Sequence, residues 1–371
     1  MRQIVLILIS IFLFFGCTQK QQVIEIKKDE QDIAKTQIPK TDKADEESFS
    51  QEVINEVKAI KDEDLDDGVF KLAIIYPSKI VGKYANNTVN TITGYLLFKN
   101  EKFKIETFDT IDETPTSIEE KIKEIETKNY SKIIALFTET GYDKMTSFSF
   151  DSKTKVYFPL LNKDNLFLTK ENFIYGGISY KRQIELLQTM SNNKNVMYFQ
   201  NNYLGNKLKT IYENSVPSIE IIKEVSGSNN DYKALVDNEK LEEASIILNT
   251  SIIKTSILLS QIRGFQKQPS VILSTQLNYN PLLISLTQAE DRINFIIANS
   301  IDKTDEKLED ILDSFDSEIV YDWVNYSSLI GVNLLFNNNK DELIKTKIEG
   351  NKVYYEPKLY NATEYGFQKI K

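Results

Sequence analysis

From Lys71 onward, short and nearly unbroken apolar runs alternate with amphipathic stretches, and this alternation constrains the fold of the 371-residue chain more than any other feature. Leu72 to Tyr76 reads as a buried strand stopped by Pro77. Ser78 to Tyr84 reads as a loop, and Ala85 to Phe98 as a helix with Val89, Ile92, Leu96 and Leu97 inward and Gly94 allowing close packing. Phe103 to Phe108 alternates as a strand, Thr114 to Lys128 reads as a helix carrying Ile118, Ile122 and Ile125, and Lys132 to Phe137 is another apolar strand. Strands apolar on both faces, spaced by helices, indicate βαβ units and a parallel sheet covered on both sides. Strands at Val156 to Leu160 and Phe173 to Tyr175 follow, then a helix from Tyr180 to Met190. A second set starts with strand Asn195 to Gln200. It runs through helix Leu204 to Glu213, strand Ile219 to Val225, helix Asp231 to Leu241, strand Ser245 to Leu248 and helix Ile252 to Phe265. Strands Val271 to Ser274 and Ile293 to Ala298 come next, with turn residues Asn278 to Pro281 between them. Helices Glu306 to Phe315 and Ile319 to Phe336 precede a hairpin, Ile344 to Ile348 and Lys352 to Tyr355, turned at Gly350. Tyr365 to Ile370 is a last extended piece.

About ten strands would be large for one parallel sheet. Two doubly wound, three-layer α/β lobes joined by a hinge fit better. The expected division is 70–178 with 302–343 in lobe 1, and 179–301 with 344–371 in lobe 2. Two such lobes place a cleft at the carboxyl ends of their strands and close on it by hinging.

The first seventeen residues say where such a domain would work. Arg2 is followed by an apolar run from Ile4 to Phe15, interrupted only by Ser10, and then by Gly16 and Cys17. This is the layout of a secretory signal, and a run of about a dozen residues is too short to span a bilayer that needs about twenty. The only cysteine of the chain stands directly after the small residue. The arrangement resembles the bacterial lipoprotein signal, with Phe14 at the usual aliphatic position. The resemblance implies that residues 1–16 are removed and that Cys17 is lipidated, facing the periplasm. Thr18 is not the Asp that retains many enteric lipoproteins at the inner membrane, which points to the outer membrane. Residues 17–69 form a linker rich in Lys, Glu, Asp, Gln and Thr, with Phe49 as its only aromatic. So little apolar area predicts a disordered tether, of mean reach about 40 Å for about 50 residues. Phe49, Val53, Ile54, Val57 and Ile60 fall at helical spacing within it.

Composition removes several chemistries. There is no histidine and one cysteine, so Ser-His-Asp and Cys-His catalysis, His-containing zinc sites and an internal disulfide are excluded. A net charge of −9 without a dense basic tract argues against nucleic acid as a partner. Asp62, Asp64 and Asp66 alternate as in a calcium loop, but Asp67 stands where glycine is needed and Ala73 where a bidentate acid is needed, so the stretch reads as a solvated turn. Ser152-Lys-Thr-Lys155 has the Ser-x-x-Lys spacing of penicillin-binding enzymes, and Lys254-Thr-Ser256 part of their third motif, but the serine sits in a polar turn. Glu119-Glu120 and Glu242-Glu243 are read as solvated helix faces, and Trp323, Tyr326 and Leu329 as core rather than a sugar platform. No cofactor is implied.

The order of elements resembles the type I periplasmic binding proteins, which include branched-chain amino-acid binding proteins. Lys71 to Ser78 looks like the opening strand of that family, Thr93-Gly94-Tyr95 its first-helix step, Tyr203-Leu-Gly205 the step after the first strand of lobe 2, and Tyr321-Asp322-Trp323 the start of a late helix. Val156 to Asn162, followed by Phe173 to Ser179, is similar to the outer-membrane lipoprotein activators of penicillin-binding proteins. The large helical N-terminal domain of some of those activators has no room in this chain. In amino-acid binders the turn after the third strand holds the ligand carboxylate. Here it reads Thr138-Glu139-Thr140-Gly141, where Glu139 would repel an anion and the hydroxyls would cap the next helix. The cleft candidates are Ser78, Thr138, Thr140, Asn162 and Thr275. Two functions remain: a non-enzymatic envelope protein that recruits or regulates a periplasmic partner such as a peptidoglycan synthase, or a solute receptor for an amino acid or other small polar ligand.

Overall fold

The computed structural model describes residues 68–226, 231–341, 344 and 346–370. The expected signal segment, Cys17, nearly all of the charged linker and the stretch 49–60 lie outside these residues.

Fourteen strands are present among the described residues. They are β1 (Phe70–Tyr76), β2 (Phe103–Asp109), β3 (Lys132–Ala135), β4 (Lys155–Phe158), β5 (Phe173–Tyr175), β6 (Asn195–Phe199), β7 (Ile219–Glu224), β8 (Ser245–Asn249), β9 (Val271–Ser274), β10 (Phe295–Asn299), β11 (Lys347–Glu349), β12 (Lys352–Tyr354), β13 (Lys358–Thr363) and β14 (Gly366–Lys369). The helices are α1 (Ser78–Phe98), α2 (Pro115–Thr127), α3 (Glu139–Met145), α4 (Tyr180–Gln188), α5 (Tyr203–Ser215), α6 (Tyr232–Val236), α7 (Ile252–Gly264), α8 (Pro281–Leu286), α9 (Glu306–Asp313) and α10 (Trp323–Asn337).

The strands form two seven-stranded sheets, ordered β11-β12-β5-β4-β3-β1-β2 and β14-β13-β10-β9-β8-β6-β7. In each, five parallel strands from consecutive βα units are extended by a late hairpin, and the strand order reverses beside the first strand. The chain passes between the sheets three times, after β5, after β10 and after β12.

Local chemistry sets the helix ends. Thr114 caps α2 by accepting from the Ser117 amide, with Pro115 in the first turn. Asp322 caps α10 by accepting from the Val324 and Asn325 amides; Asn338 then ends the helix in the left-handed region at φ 57°. The Asp322 cap explains why α10 begins at Trp323 and not at Ile319. Tyr326 and Leu329 are buried and Trp323 packs against the same cluster, as a core reading requires. A Cβ on Gly94 would come within 2.9 Å of Leu312, so glycine sets how closely α1 approaches α9.

Three expectations are corrected. Ser78 to Tyr84 is not a loop: α1 starts at Ser78 and kinks at Val81 (φ −126°, ψ 15°), with Val81 and Ala85 buried beneath it. Residues 344–371 do not all join lobe 2. The hairpin β11–β12 belongs to the lobe 1 sheet, where β12 runs parallel to β5, and only β13 and β14 belong to lobe 2. The physical reason is the open edge of β5: Asn351 Nδ2 donates to the Lys170 and Phe173 carbonyls at 2.8 Å each, and Lys352 pairs with Asp164. Finally, Glu242 and Glu243 are not helical; they follow the 3-10 turn Glu239–Leu241, and Glu242 pairs with Lys267.

One apolar cluster runs through both lobes, joined near the crossovers by Ile178, Tyr180, Ile301 and Tyr355. Separate clusters fill the outer layer of each lobe.

Candidate functional site

Open α/β sheets bind ligands where strand order reverses, at the carboxyl ends of the strands. In lobe 1 that point lies between β1 and β3, and it brings Ser78 and Thr138 to the same edge. Each opens a helix N-terminus, whose free amides favour an anion.

Both positions are already taken by carboxylates of the chain itself. They come from the last residue of β2 and the short turn that follows it. Asp109 Oδ1 accepts from the Ser78 amide at 3.0 Å and from the Ile111 amide at 2.7 Å. Partial burial raises the Asp109 carboxyl, but hydrogen bonds from the Ser78 hydroxyl and from the Ile111 and Ser78 amides outweigh it and hold it below its usual range. Glu113 is 6% exposed. Its Oε1 accepts from the Thr138 amide at 2.7 Å and its Oε2 from the Thr138 hydroxyl at 2.6 Å. An amide and a hydroxyl aimed at one carboxylate form a charge-assisted pair, stronger than neutral hydrogen bonds. Gly141 makes room for it: a Cβ there would lie 2.5 Å from Glu113 Oε1. Between the two carboxylates, Ile111 sits at φ 65°. That region is costly for a β-branched residue and occurs where surrounding contacts enforce it. Here they are the Asp109 bond to its amide and the Lys79 amide donating to its carbonyl at 3.0 Å.

A second contact joins the lobes across the cleft. Glu139, in the first turn of α3, pairs with Lys207 of α5 at 2.5 Å and accepts from the Tyr203 hydroxyl at 3.3 Å. Glu139 therefore serves as a tie to lobe 2.

The sequence-derived candidates separate. Ser78 and Thr138 come together under the β2–α2 turn. Thr138 does stand at the N-cap position of α3, yet its side chain makes no cap bond because its hydroxyl is given to Glu113. Thr140 is exposed and lines a shallow depression with Pro115, Asp143 and Lys144. Asn162 is buried at the first crossover, donating to the Gly177 carbonyl at 2.8 Å and accepting from the Asp164 amide at 3.0 Å. Thr275 is fully buried in lobe 2 and donates to Asn249 Oδ1 at 3.0 Å. Sequence reasoning missed Asp109, Glu113 and Lys207. No spacing rule marks them, since a carboxylate in a strand-to-helix turn normally reads as solvated. Ser152 lies in an exposed turn, and Lys155 of its Ser-x-x-Lys spacing opens β4, so the two are not one turn apart on a buried helix.

Two lobes of matching strand order joined by three crossovers settle the architecture. The fold is that of the type I periplasmic binding proteins. Solved structures with this fold include the substrate-binding protein LivJ of a branched-chain amino-acid transporter from Streptococcus pneumoniae in complex with isoleucine (TM-score 0.58, 10% identity, 81% of this chain and 100% of that one). An ABC transporter substrate-binding protein from Sphaerobacter thermophilus is similar (TM-score 0.59, 10% identity, 81% and 96%). So is the C-domain of LpoA from Haemophilus influenzae, a regulator of PBP1A (TM-score 0.54, 11% identity, 81% and 100%). No family model and no curated protein matches the chain. Binding proteins and a regulator thus share this type I fold.

Proposed function

We propose that this chain is a lipid-anchored protein of the cell envelope whose two-lobed domain recruits or regulates a periplasmic protein partner, such as a peptidoglycan synthase, and performs no chemistry itself. The observation that carries this reading is Glu113 on Thr138. The groups best placed to take a ligand carboxylate already hold one in cis. A free solute would have to displace a buried, tethered carboxylate that competes at high effective concentration. The Glu139–Lys207 tie works in the same direction, since it favours closed lobes without a ligand. A binding fold whose cleft is filled in this way is suited to present surfaces rather than to carry cargo. The likeness to the LpoA C-domain, whose fold is the same, agrees with a regulatory role. Lipidation at Cys17, release of residues 1–16 and an outer-membrane destination belong to this reading and rest on the sequence.

One feature favours the solute receptor: Asn249 Nδ2, Gln276 Nε2 and Asn278 Oδ1, at the strand ends of lobe 2, are buried without a hydrogen-bond partner among the described residues. All three residues are at most 5% exposed, so they are closed to a ligand in this structure.

The test is co-purification of a peptidoglycan synthase with the intact lipoprotein, run beside a thermal-shift screen of the chain against amino acids, peptides and sugars. Synthase in the complex and no stabilising solute is the expected result. A solute that raises the melting temperature, with no synthase retained, would overturn the proposal. Cys17→Ser should release the protein from membranes, and persistent anchoring would remove the lipoprotein part of the reading.

A further inference from the structure

At the amino ends of the lobe 1 strands, away from the cleft, lies a cavity of about 710 Å³. Its wall includes the apolar side chains of Ile174, Leu334 and Ile348, the ring of Phe150, and the cations Lys155 and Lys170. Lys155 opens β4 and stands directly in register with Lys132, which opens β3. Like charges side by side on neighbouring strands repel. Lys132 is also half-buried, with its ammonium 4.7 Å from the centroid of the Phe70 ring. Burial, and then the charge of Lys155, push its pKa down. Lys170 is held over the rings of Phe150 and Phe173 at 5.9 and 5.4 Å, and donates to the Phe148 carbonyl at 2.5 Å. Among the described residues, no carboxylate forms an ion pair with Lys132, Lys155 or Lys170; Glu171, which also lines the cavity, pairs with none of them.

Lobe 2 supplies an internal comparison. The cavity at the amino ends of its strands is of similar size, about 660 Å³, and also lined by cations. There the cations are compensated: Arg263 lies 3.5 Å from Glu290 and 3.6 Å from Asp291, and Lys267 lies 3.6 Å from Glu242. Among the described residues, the same fold therefore pairs these cations with carboxylates in one lobe and not in the other. A paired positive site beside an apolar-walled cavity within the usual size range for small ligands is complementary to an anionic head on an apolar body.

We propose that the lobe 1 cavity binds an amphiphilic anion, with its head at Lys155 on the cavity wall, next to Lys132 on the neighbouring strand, and its apolar body against Ile174, Leu334 and Ile348. Such a ligand can be a free amphiphile or a lipid of the bilayer. The full chain carrying Cys17→Ser, which removes the anchoring position, would be titrated calorimetrically with decanoate below its micelle concentration, with phosphatidylglycerol vesicles and with inorganic phosphate. The expected result is saturable binding of decanoate or of the vesicles, weakened at least tenfold in Lys132→Gln/Lys155→Gln. Decanoate binding assigns the site to a free amphiphile, and binding of vesicles alone assigns it to lipid. Inorganic phosphate should bind far more weakly than either. The double variant removes a repulsion but also the contact of Lys132 with the Phe70 ring, so its melting temperature is measured beside binding, and Lys155→Gln alone, which keeps that contact, should also weaken decanoate. Ile348→Ser, on the partly exposed wall, should weaken decanoate while leaving any weak phosphate binding unchanged. No binding of decanoate or vesicles, binding unaffected by the lysine substitutions, or phosphate binding as tight as decanoate would each overturn the proposal.

Discussion

Glu113 gives one carboxylate oxygen to the Thr138 amide and the other to the Thr138 hydroxyl. Removing it strands both donors in a buried place, a loss of about 1–3 kcal/mol. Glu113→Ala should therefore lower the denaturation midpoint. It also leaves a carboxylate-shaped vacancy, so added formate should recover part of the loss in the variant and do little to the parent. Equal effects of formate on both would show that Glu113 is not a surrogate ligand. Asp109 makes a second prediction, in pH. Its carboxyl is held below its ordinary value, which is about 3.9 in unfolded chains, so its stabilising contribution is present above that value and is lost as pH falls through the folded one. Urea midpoints of the parent and Asp109→Asn should differ by a constant amount at neutral pH and converge below about pH 4. At this scale the sequence was half legible. Ser78 and Thr138 could be found because each follows an apolar strand. Their partners could not, because nothing in Asp109-Thr-Ile-Asp-Glu113 distinguishes a turn that folds back over the sheet from one that points into water.

At the scale of elements, the period of the apolar residues located nearly every strand and long helix. The misses have particular causes. The first turns of α1 were hidden because Pro77 and Gly82 read as loop, while burial of Val81 and Ala85 stabilises a kinked helix there. β13 carries no sequence signal because Lys358 to Thr363 lacks an apolar run; it runs antiparallel beside β10 and buries only Ala362. Nothing local places the hairpin β11–β12 in lobe 1, because its pairing with β5 is a contact far away in sequence. Gly94 illustrates a legible contact. Gly94→Val would place its Cβ against Leu312 and Phe315 and force α9 away from α1. Overpacking of this kind costs about 1–3 kcal/mol, and thermal unfolding should show it as a lower melting temperature with the two-state transition retained. A melting temperature equal to the parent's would mean that the helices are not seated as described.

For the whole molecule, the tie between Glu139 and Lys207 links α3 of one lobe to α5 of the other. Both side chains are partly exposed, and such a pair contributes about 1 kcal/mol or less. It biases the lobes toward closure and does not weld them. Glu139→Lys should shift the population toward open lobes, and Glu139→Lys with Lys207→Glu should restore it; failure of the exchange to restore closure would show that the tie has no role. The two-lobed architecture itself was legible from the alternation of strands and helices, whereas the state of the cleft was not, because it is decided by side chains that meet only after folding. The central claim is that the cleft carries its own ligand and is shut without a solute. It is tested most directly by the distance between spin labels at Thr140→Cys and Ile253→Cys, one in each lobe, in a Cys17→Ser chain, measured by pulsed electron resonance. One narrow distance that stays the same when amino acids, peptides or sugars are added is the expected result. A broad distribution that narrows and shortens on addition of a solute would contradict it.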